Sequence, residues 1–151
     1  MPSKQRLVLD EFLPYRLSIV TNRASAAIAL HYSKRFGLSI PEWRVMAVLG
    51  ETPDLSARQV AERTEMDKVQ VSRAVQSLLA AKRLTRGADK DDGRVARLSL
   101  SERGQAIYRE VVPLALDLER EFLSVLNARE RAALDATLTK LSLSLDRLRK
   151  A

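Results

Sequence analysis

The chain has 151 residues, with 26 lysines and arginines against 19 aspartates and glutamates, which gives a formal net charge of +7. Hydrophobic residues make up 46% and charged residues 30%, proportions that fit one folded domain and exclude disorder throughout the chain. The lack of cysteine and the single histidine, His31, exclude disulfides, a thiolate zinc site and a metal site of several imidazoles within one subunit.

Apolar runs are short throughout the chain. The longest, such as residues 45–49, are far below the roughly 18 residues that span a bilayer. Residues 1–10 contain no apolar core of a signal peptide. We therefore expect a cytoplasmic protein with no membrane partner.

The first predicted helix covers residues 10–36. Apolar residues recur from Leu13 to Ile28 at three- and four-residue spacing, which is the pattern of one helical face. Gly37 is a typical helix terminator. A second, short helix is predicted to begin near Pro41, because proline is favoured in the first turn.

Two short helices joined by a tight turn are predicted next. Ser56 and Gln59 have the spacing of a capping box, and Asp67 is a typical N-cap for a helix that extends to about Lys82. Apolar residues at helical spacing form the predicted buried side of that helix: Val71, Ala74, Val75 and Leu78. This arrangement resembles a helix-turn-helix.

The hydrophobic period then changes to that of a β-hairpin. Residues 84–86 and 95–100 are short enough for strands, and the second run alternates between two faces. Asp92 and Gly93 lie between them, and both residue types tolerate positive φ, which predicts the hairpin turn. The acids of this loop lack the spacing of an EF-hand, so no calcium site is expected.

Two more helices are predicted after Ser101, with Pro113 expected to bend the first or to end its initial segment. Asn127 and Glu130 form another capping-box pattern. Leucines of the last helix repeat at alternating four- and three-residue spacing: Leu134, Leu138, Leu141, Leu145 and Leu148. This stripe and the apolar face of residues 10–36 exceed what a small winged core must bury, which favours a homodimer.

The order of elements predicts a mostly α fold with a small β-hairpin wing. The winged helix-turn-helix covers residues 40–100, and dimerisation helices cover residues 10–36 and 101–150 of a single domain, 1–151. Such a fold presents its second helix-turn-helix helix to the major groove of double-stranded DNA.

Polar and basic side chains on that helix and on the hairpin are of the types that contact DNA, since glutamine pairs with adenine and arginine with guanine or phosphate. The candidates are Lys68, Gln70, Ser72, Arg73, Gln76, Arg86, Lys90, Arg94 and Arg97. Arg94 follows the hairpin turn, where a guanidinium can enter a narrow minor groove while Asp92 holds it extended. Two ordinary interpretations remain open. Basic residues such as these are also common on any solvent-exposed face, and Asp92 and Arg94 can form an ordinary surface ion pair.

Several segments together carry a family resemblance: residues 40–46, 55–61, 66–75, 89–94 and 98–104. They resemble the MarR family of dimeric bacterial transcription regulators, over nearly the whole chain. The resemblance implies that Asp92 and Arg94 are the family's wing pair and that residues 68–76 contact the major groove. It also implies that the terminal helices form a homodimer, which requires a pseudo-palindromic operator.

Members of this family are typically repressors that a small organic molecule releases, often a phenolic compound or an aromatic carboxylate or its thioester. The resemblance implies a pocket lined by the first helix, the Trp43 helix and the helix after the wing. Candidate residues there are Tyr15, Arg16, His31, Trp43 and Met46. A lone tryptophan is also a common core anchor, and a lone histidine is often an ordinary surface residue.

Other classes of function are less well supported by the residues. No convergent acid, base and nucleophile set is present, so we expect neither an enzyme nor a cofactor. A winged-helix protein-interaction module without ligand response is the alternative. Weak dependence of nucleic-acid binding on salt would favour that alternative, because phosphate neutralisation releases counterions.

Overall fold

The computed structural model describes residues 5–151. Residues 1–4, which belong to the segment expected to contain no signal peptide, lie outside the described residues. A short 3₁₀ turn at Leu9–Glu11 precedes six α-helices and two β-strands. In chain order these are α1 (Leu13–Phe36), α2 (Ile40–Glu51), α3 (Ala57–Thr64), α4 (Lys68–Ala80), β1 (Leu84–Ala88), β2 (Ala96–Leu100), α5 (Glu102–Leu123) and α6 (Ala128–Lys150). The predicted mostly α fold with a hairpin wing is confirmed.

Local hydrogen bonds fix the ends of the helices where the sequence predicts them. Three capping boxes are present: Ser56 with Gln59 and Asn127 with Glu130, which were predicted, and Ser39 with Glu42, which was not. The carboxylate of Asp67 accepts a hydrogen bond from the amide of Val69 at 2.6 Å and so begins α4. Gly37 ends α1 in the left-handed conformation, with φ at 63°.

Packing divides the chain into two compact units, Met1–Leu114 and Ala115–Ala151. The described part of the first unit contains a hydrophobic core to which α1 to α5 and both strands contribute. Its fully buried side chains include Tyr32, Val45, Met46, Leu49, Val60, Val71, Leu78, Leu98 and Val111. The buried face of α4 is the predicted one, so its opposite face points to solvent.

The strands of the wing pair antiparallel, with Leu84 opposite Leu100 and Ala88 opposite Ala96. Leu55, two residues before the start of α3, extends this sheet through a single bridge to Leu98. The amide of Leu55 donates to the Leu98 carbonyl at 3.1 Å, and the amide of Leu98 donates to the Leu55 carbonyl at 2.7 Å. The second strand of the wing is therefore attached directly to the helix-turn-helix.

The wing loop, residues 89–95, differs from the predicted hairpin turn. Asp92 and Gly93 are not among the described residues with positive φ. Instead, Asp89 Oδ1 accepts hydrogen bonds from the amides of Asp91 at 2.8 Å and Asp92 at 3.2 Å. Because this carboxylate caps the loop amides, the chain reverses over more residues without a left-handed turn.

The prediction that Pro113 could end a helix segment is wrong. This proline lies inside α5, which continues to Leu123, so it does not end the helix. A proline at this position removes the hydrogen bond to the carbonyl of Arg109. Both residues lie on the exposed side of the helix, where water can bond that carbonyl.

The second unit, Ala115–Ala151, contains the end of α5 and all of α6. Helix α6 has no buried residue. Four leucines of the predicted stripe are exposed: Leu134, Leu138, Leu145 and Leu148. Within residues 5–151, no helix combines the length and the apolar composition needed to cross a membrane.

Candidate nucleic-acid interface

The outward face of α4 carries the predicted base-contacting side chains. Lys68, Gln70, Ser72, Arg73 and Gln76 are all exposed. They lie on a helix whose other face is held in the core, so α4 presents them as a rigid row. In the described part of the chain, none of their side chains is engaged in an ion pair, which leaves both cations available to an anionic partner.

Ser77 differs from these residues because its side chain is bonded within the protein. Its hydroxyl donates to Glu42 Oε2 at 3.1 Å, while Oε1 of the same glutamate bonds the Ser39 amide at 3.2 Å. Glu42 therefore connects the start of α2 to the last turn of α4. This hydrogen bond restrains rotation of α4 relative to α2.

The wing adds three exposed cations, Arg86 on β1 and Lys90 and Arg94 in the wing loop. The contact predicted between Asp92 and the Arg94 guanidinium is replaced by a main-chain contact, because Asp92 Oδ1 accepts from the Arg94 amide at 3.0 Å. The carboxylate thus shapes the backbone that carries Arg94. Within the described residues the Arg94 guanidinium has no carboxylate partner.

Arg97 behaves differently from the other predicted DNA contacts. It forms what we term the wing clasp, in which its guanidinium bonds Asp54 Oδ1 and Oδ2 at 3.4 and 3.3 Å and Asp89 Oδ2 at 3.2 Å. The Arg97 side chain is only 31% exposed. The clasp joins the turn before α3 to the wing loop, so Arg97 holds the wing rather than projecting from it.

Sequence patterns alone did not reveal Asp54 as a member of this clasp. It has a φ of 64°, a left-handed conformation that costs less for aspartate than for most residues. Its amide donates to Ser99 Oγ at 3.0 Å. An acid in a Thr-Pro-Asp turn was the available signal, but its partner lies 43 residues away along the chain.

The charge states of the wing clasp follow from its hydrogen bonds. The amides of Asp91 and Asp92 hold the pKa of Asp89 below its ordinary value of 3.8, and Arg97 lowers it further. The hydrogen bond to Asp54 raises the pKa of Arg97. Because the folded pKa of Asp89 is depressed, its ionised form stabilises the wing above pH 3.8, and this stabilisation is lost as the pH falls through the lowered pKa.

Replacing Arg97 with alanine is expected to raise the pKa of Asp89 while leaving it below 3.8, because the two loop amides remain. A carboxyl-carbon NMR titration of the wild type and the Arg97→Ala variant measures this change. Arg86→Ala is the matched control, since Arg86 is an exposed wing arginine outside the clasp. An Asp89 pKa that is the same in all three proteins would contradict the clasp.

The residues predicted to line an effector pocket do not form one cluster. Arg16 and His31 lie fifteen residues apart on the continuous helix α1, which is roughly 22 Å along its axis. Tyr15, Arg16 and His31 are exposed. Met46 is fully buried in the core, so in this structure it has no surface to offer a ligand.

Trp43 lies between two tyrosine rings, with ring centroids 5.7 Å from Tyr32 and 6.0 Å from Tyr108. The neighbouring Arg44 is half-buried and donates to Ser25 Oγ at 3.2 Å. Burial raises the pKa of Tyr32, and the charge of Arg44 opposes that shift. Arg44 is therefore a half-buried cation whose charge acts on Tyr32, one of the two rings against Trp43, and the sequence pattern did not single it out.

A comparison of sequence matches the region that contains the helix-turn-helix and the wing loop. A sequence profile described as MarR family matches residues 36–95, from the end of α1 to the wing loop. No match was found among curated protein sequences.

Comparisons of structure extend over most of the chain. A MarR/EmrR family transcriptional regulator from Acinetobacter sp. ADP1 is 26% identical with a TM-score of 0.84, over 93% of this chain and 99% of that chain. A probable transcriptional regulator from Pseudomonas aeruginosa is 30% identical with a TM-score of 0.74, over 89% and 99%. BpsR from Bordetella bronchiseptica, whose DNA binding is regulated by 6-hydroxynicotinic acid, is 25% identical with a TM-score of 0.79, over 91% and 98%.

Proposed function

The chain belongs to the MarR family of winged-helix transcription regulators, and on that premise we propose that it is a homodimeric repressor of transcription that a small organic acid releases from its operator. One MarR-like domain, 1–151, would carry this function. The observation that supports the proposal most strongly is the exposed row of polar and basic side chains on α4. Its cations have the same positive charge as those of the wing. Because the family regulates transcription, no enzymatic activity is assigned, and the site of action is the cytoplasm, where bacterial DNA lies.

In this proposal each group of side chains has its own part of the DNA. Residues 68–76 enter the major groove, where Gln70 and Gln76 pair with adenine and Arg73 with guanine or a phosphate. Arg86 and Lys90 neutralise phosphates, and Arg94 enters the adjacent minor groove. Arg97 is reassigned from DNA contact to positioning, because the wing clasp occupies its guanidinium.

The exposed apolar faces of the terminal helices support the homodimer. On α1, Leu13, Leu17 and Val20 are exposed by 40% or more, and on α6 four of the five leucines of the predicted stripe are exposed. Apolar rows of this length in a single chain are typical of a surface that another protein covers. A twofold dimer places two copies of α4 on successive major grooves and so requires a pseudo-palindromic operator.

Selection of bound duplexes from a random DNA pool tests this function. The full chain is expected to enrich one pseudo-palindromic sequence whose half-sites are centred about 10 to 10.5 base pairs apart. Enrichment of no sequence above the starting pool would contradict the proposal and favour a protein-interaction module. We term a duplex of the enriched sequence the selected duplex.

Arg94→Ala is expected to weaken binding to the selected duplex by about 1 to 3 kcal/mol, or roughly fivefold to more than a hundredfold. Removing the side chain takes away the minor-groove contact but leaves the loop bond made by the Arg94 amide. Fluorescence anisotropy measures the affinity. Lys140→Ala, which removes a charge from the exposed surface of α6, is the control and should change little. Equal affinities for Arg94→Ala and the wild type would show that the wing tip does not contact DNA.

For the effector we propose an aromatic carboxylate whose anion pairs with Arg44 and whose ring lies near Trp43. Two observations support this: Arg44 is a half-buried cation whose charge acts on Tyr32, the ring against Trp43, and 6-hydroxynicotinic acid, an aromatic carboxylic acid, regulates the DNA binding of BpsR. The complex with the selected duplex is titrated with hydroxylated benzoates, 6-hydroxynicotinate and aromatic thioesters. Release by a carboxylate in the wild type and not in Arg44→Gln is expected, whereas equal release in both would place the ligand elsewhere.

A further inference from the structure

An exposed valine interrupts the polar outer face of α4. Val69 is 57% exposed, although every other valine of α4 is buried. It lies nine residues before the buried Leu78, which is about 180° around the helix. Val69 therefore points away from the core.

The local structure gives Val69 no internal role. Its amide bonds the Asp67 carboxylate at 2.6 Å, a contact that any residue other than proline supplies. Valine is a weaker helix former than alanine because its branched side chain loses rotamer freedom. An exposed valine in the first turn therefore does not stabilise α4 relative to alanine, and its side chain is free to contact a partner.

The neighbours of Val69 on this face identify the chemistry of that partner. Arg73 lies one turn further along α4 and Gln76 two turns further, so the three side chains form one straight row. The major groove presents donors and acceptors at every base pair, but its one apolar group is the C5-methyl of thymine. An apolar side chain in a row of base-contacting polar ones matches that methyl group.

We propose that Val69 is a specificity-determining residue that packs against the C5-methyl of one thymine in each half-site. This inference rests on the proposed DNA-binding function, and it adds a base preference that the polar residues do not supply. Thymine differs from uracil only by this methyl group, so replacing thymine with deoxyuridine removes the contact without changing the hydrogen-bonding edge.

A chemical double-mutant cycle tests the inference. The wild type and Val69→Ala are titrated by anisotropy against the selected duplex and against duplexes with deoxyuridine at each thymine in turn, placed symmetrically in both half-sites. At one thymine position the wild type is expected to lose about fourfold in affinity per methyl removed. Val69→Ala should bind the thymine and deoxyuridine forms of that position equally.

Two results would overturn the inference while leaving DNA binding intact: indifference of the wild type to every deoxyuridine substitution, or an undiminished loss in Val69→Ala. Failure of the wild type to prefer any sequence would overturn both this inference and the proposed function. Circular dichroism of Val69→Ala checks that α4 is retained. Ala80→Ser is the matched control on the same helix, outside the proposed groove-contacting residues, and it should keep the fourfold sensitivity to the methyl group.

Discussion

Gly104→Ala is expected to lower the free energy of unfolding by about 3 kcal/mol, although alanine is ordinarily the better helix former. A β-carbon at position 104 would lie 2.1 Å from the main-chain oxygen of Arg83. Two hydrogen bonds hold the segment before β1 against the start of α5, so neither segment moves without the other. The Arg83 oxygen accepts from the Ser101 amide at 3.0 Å, and Ser101 Oγ donates to the carbonyl of Lys82 at 2.7 Å. This corner joins the residues after α4 to the start of α5.

Urea unfolding measures the effect, with an expected fall of the midpoint at unchanged slope. Gly87→Ala is the matched control, because nothing lies within 4 Å of its β-carbon position, and its stability should change by less than about 0.5 kcal/mol. Gly50→Ala should fall between them, since the clash there is with the Tyr108 ring, a side chain that can shift. A Gly104→Ala protein as stable as Gly87→Ala would show that this corner is not close-packed.

Leu145→Glu is expected to convert the proposed dimer to monomers, with a rise in the dissociation constant on the order of 1000-fold. Leu145 is 60% exposed in the single chain, so the charge costs little there. In a dimer that covers the α6 stripe, both copies would bury an unpaired carboxylate. Sedimentation velocity at micromolar concentration measures the change in mass.

Ala136→Glu separates this effect from that of added charge. Ala136 is also exposed on α6, and it lies nine residues before Leu145, about 180° around the helix. It should remain dimeric. A dimer mass retained by Leu145→Glu would place the interface on another surface, whereas dissociation of both variants would indicate a general effect of charge on α6.

The parts of the fold that depend on near neighbours could be predicted from the sequence. The two predicted capping boxes and the Asp67 cap form between residues two or three positions apart, so the residue types at those positions indicate them. The buried side of α4 follows from the spacing of its apolar residues. These local features were enough to predict the helix-turn-helix and hence the row of candidate DNA contacts.

The parts that depend on distant neighbours could not be predicted. Arg97 was assigned to DNA because no local pattern shows that Asp54 lies beside it. Asp92 and Gly93 have the composition of a left-handed turn, but the Asp89 carboxylate caps the loop amides instead. For the same reason, Arg44 was missed as a ligand candidate: its partners Ser25 and Tyr32 lie on α1, 19 and 12 residues earlier in the chain.

The wing clasp connects the two parts of the candidate interface. Asp54 precedes α3 of the helix-turn-helix, and Asp89 begins the wing loop that carries Arg94. The Leu55–Leu98 bridge makes a second connection between the same segments. The wing is therefore fixed relative to the helix-turn-helix before DNA binds, which reduces the ordering that binding must impose.

The central claim is that α4 and the wing bind a specific DNA sequence. Anisotropy titration of the full chain against the selected duplex and a scrambled duplex of equal length, from 50 to 200 mM salt, tests it most directly. We expect the selected duplex to bind on the order of 1000-fold more tightly than the scrambled one, and its affinity to fall by about 100-fold or more over this range. Equal affinity for both duplexes, or affinity that does not change with salt, would contradict the claim.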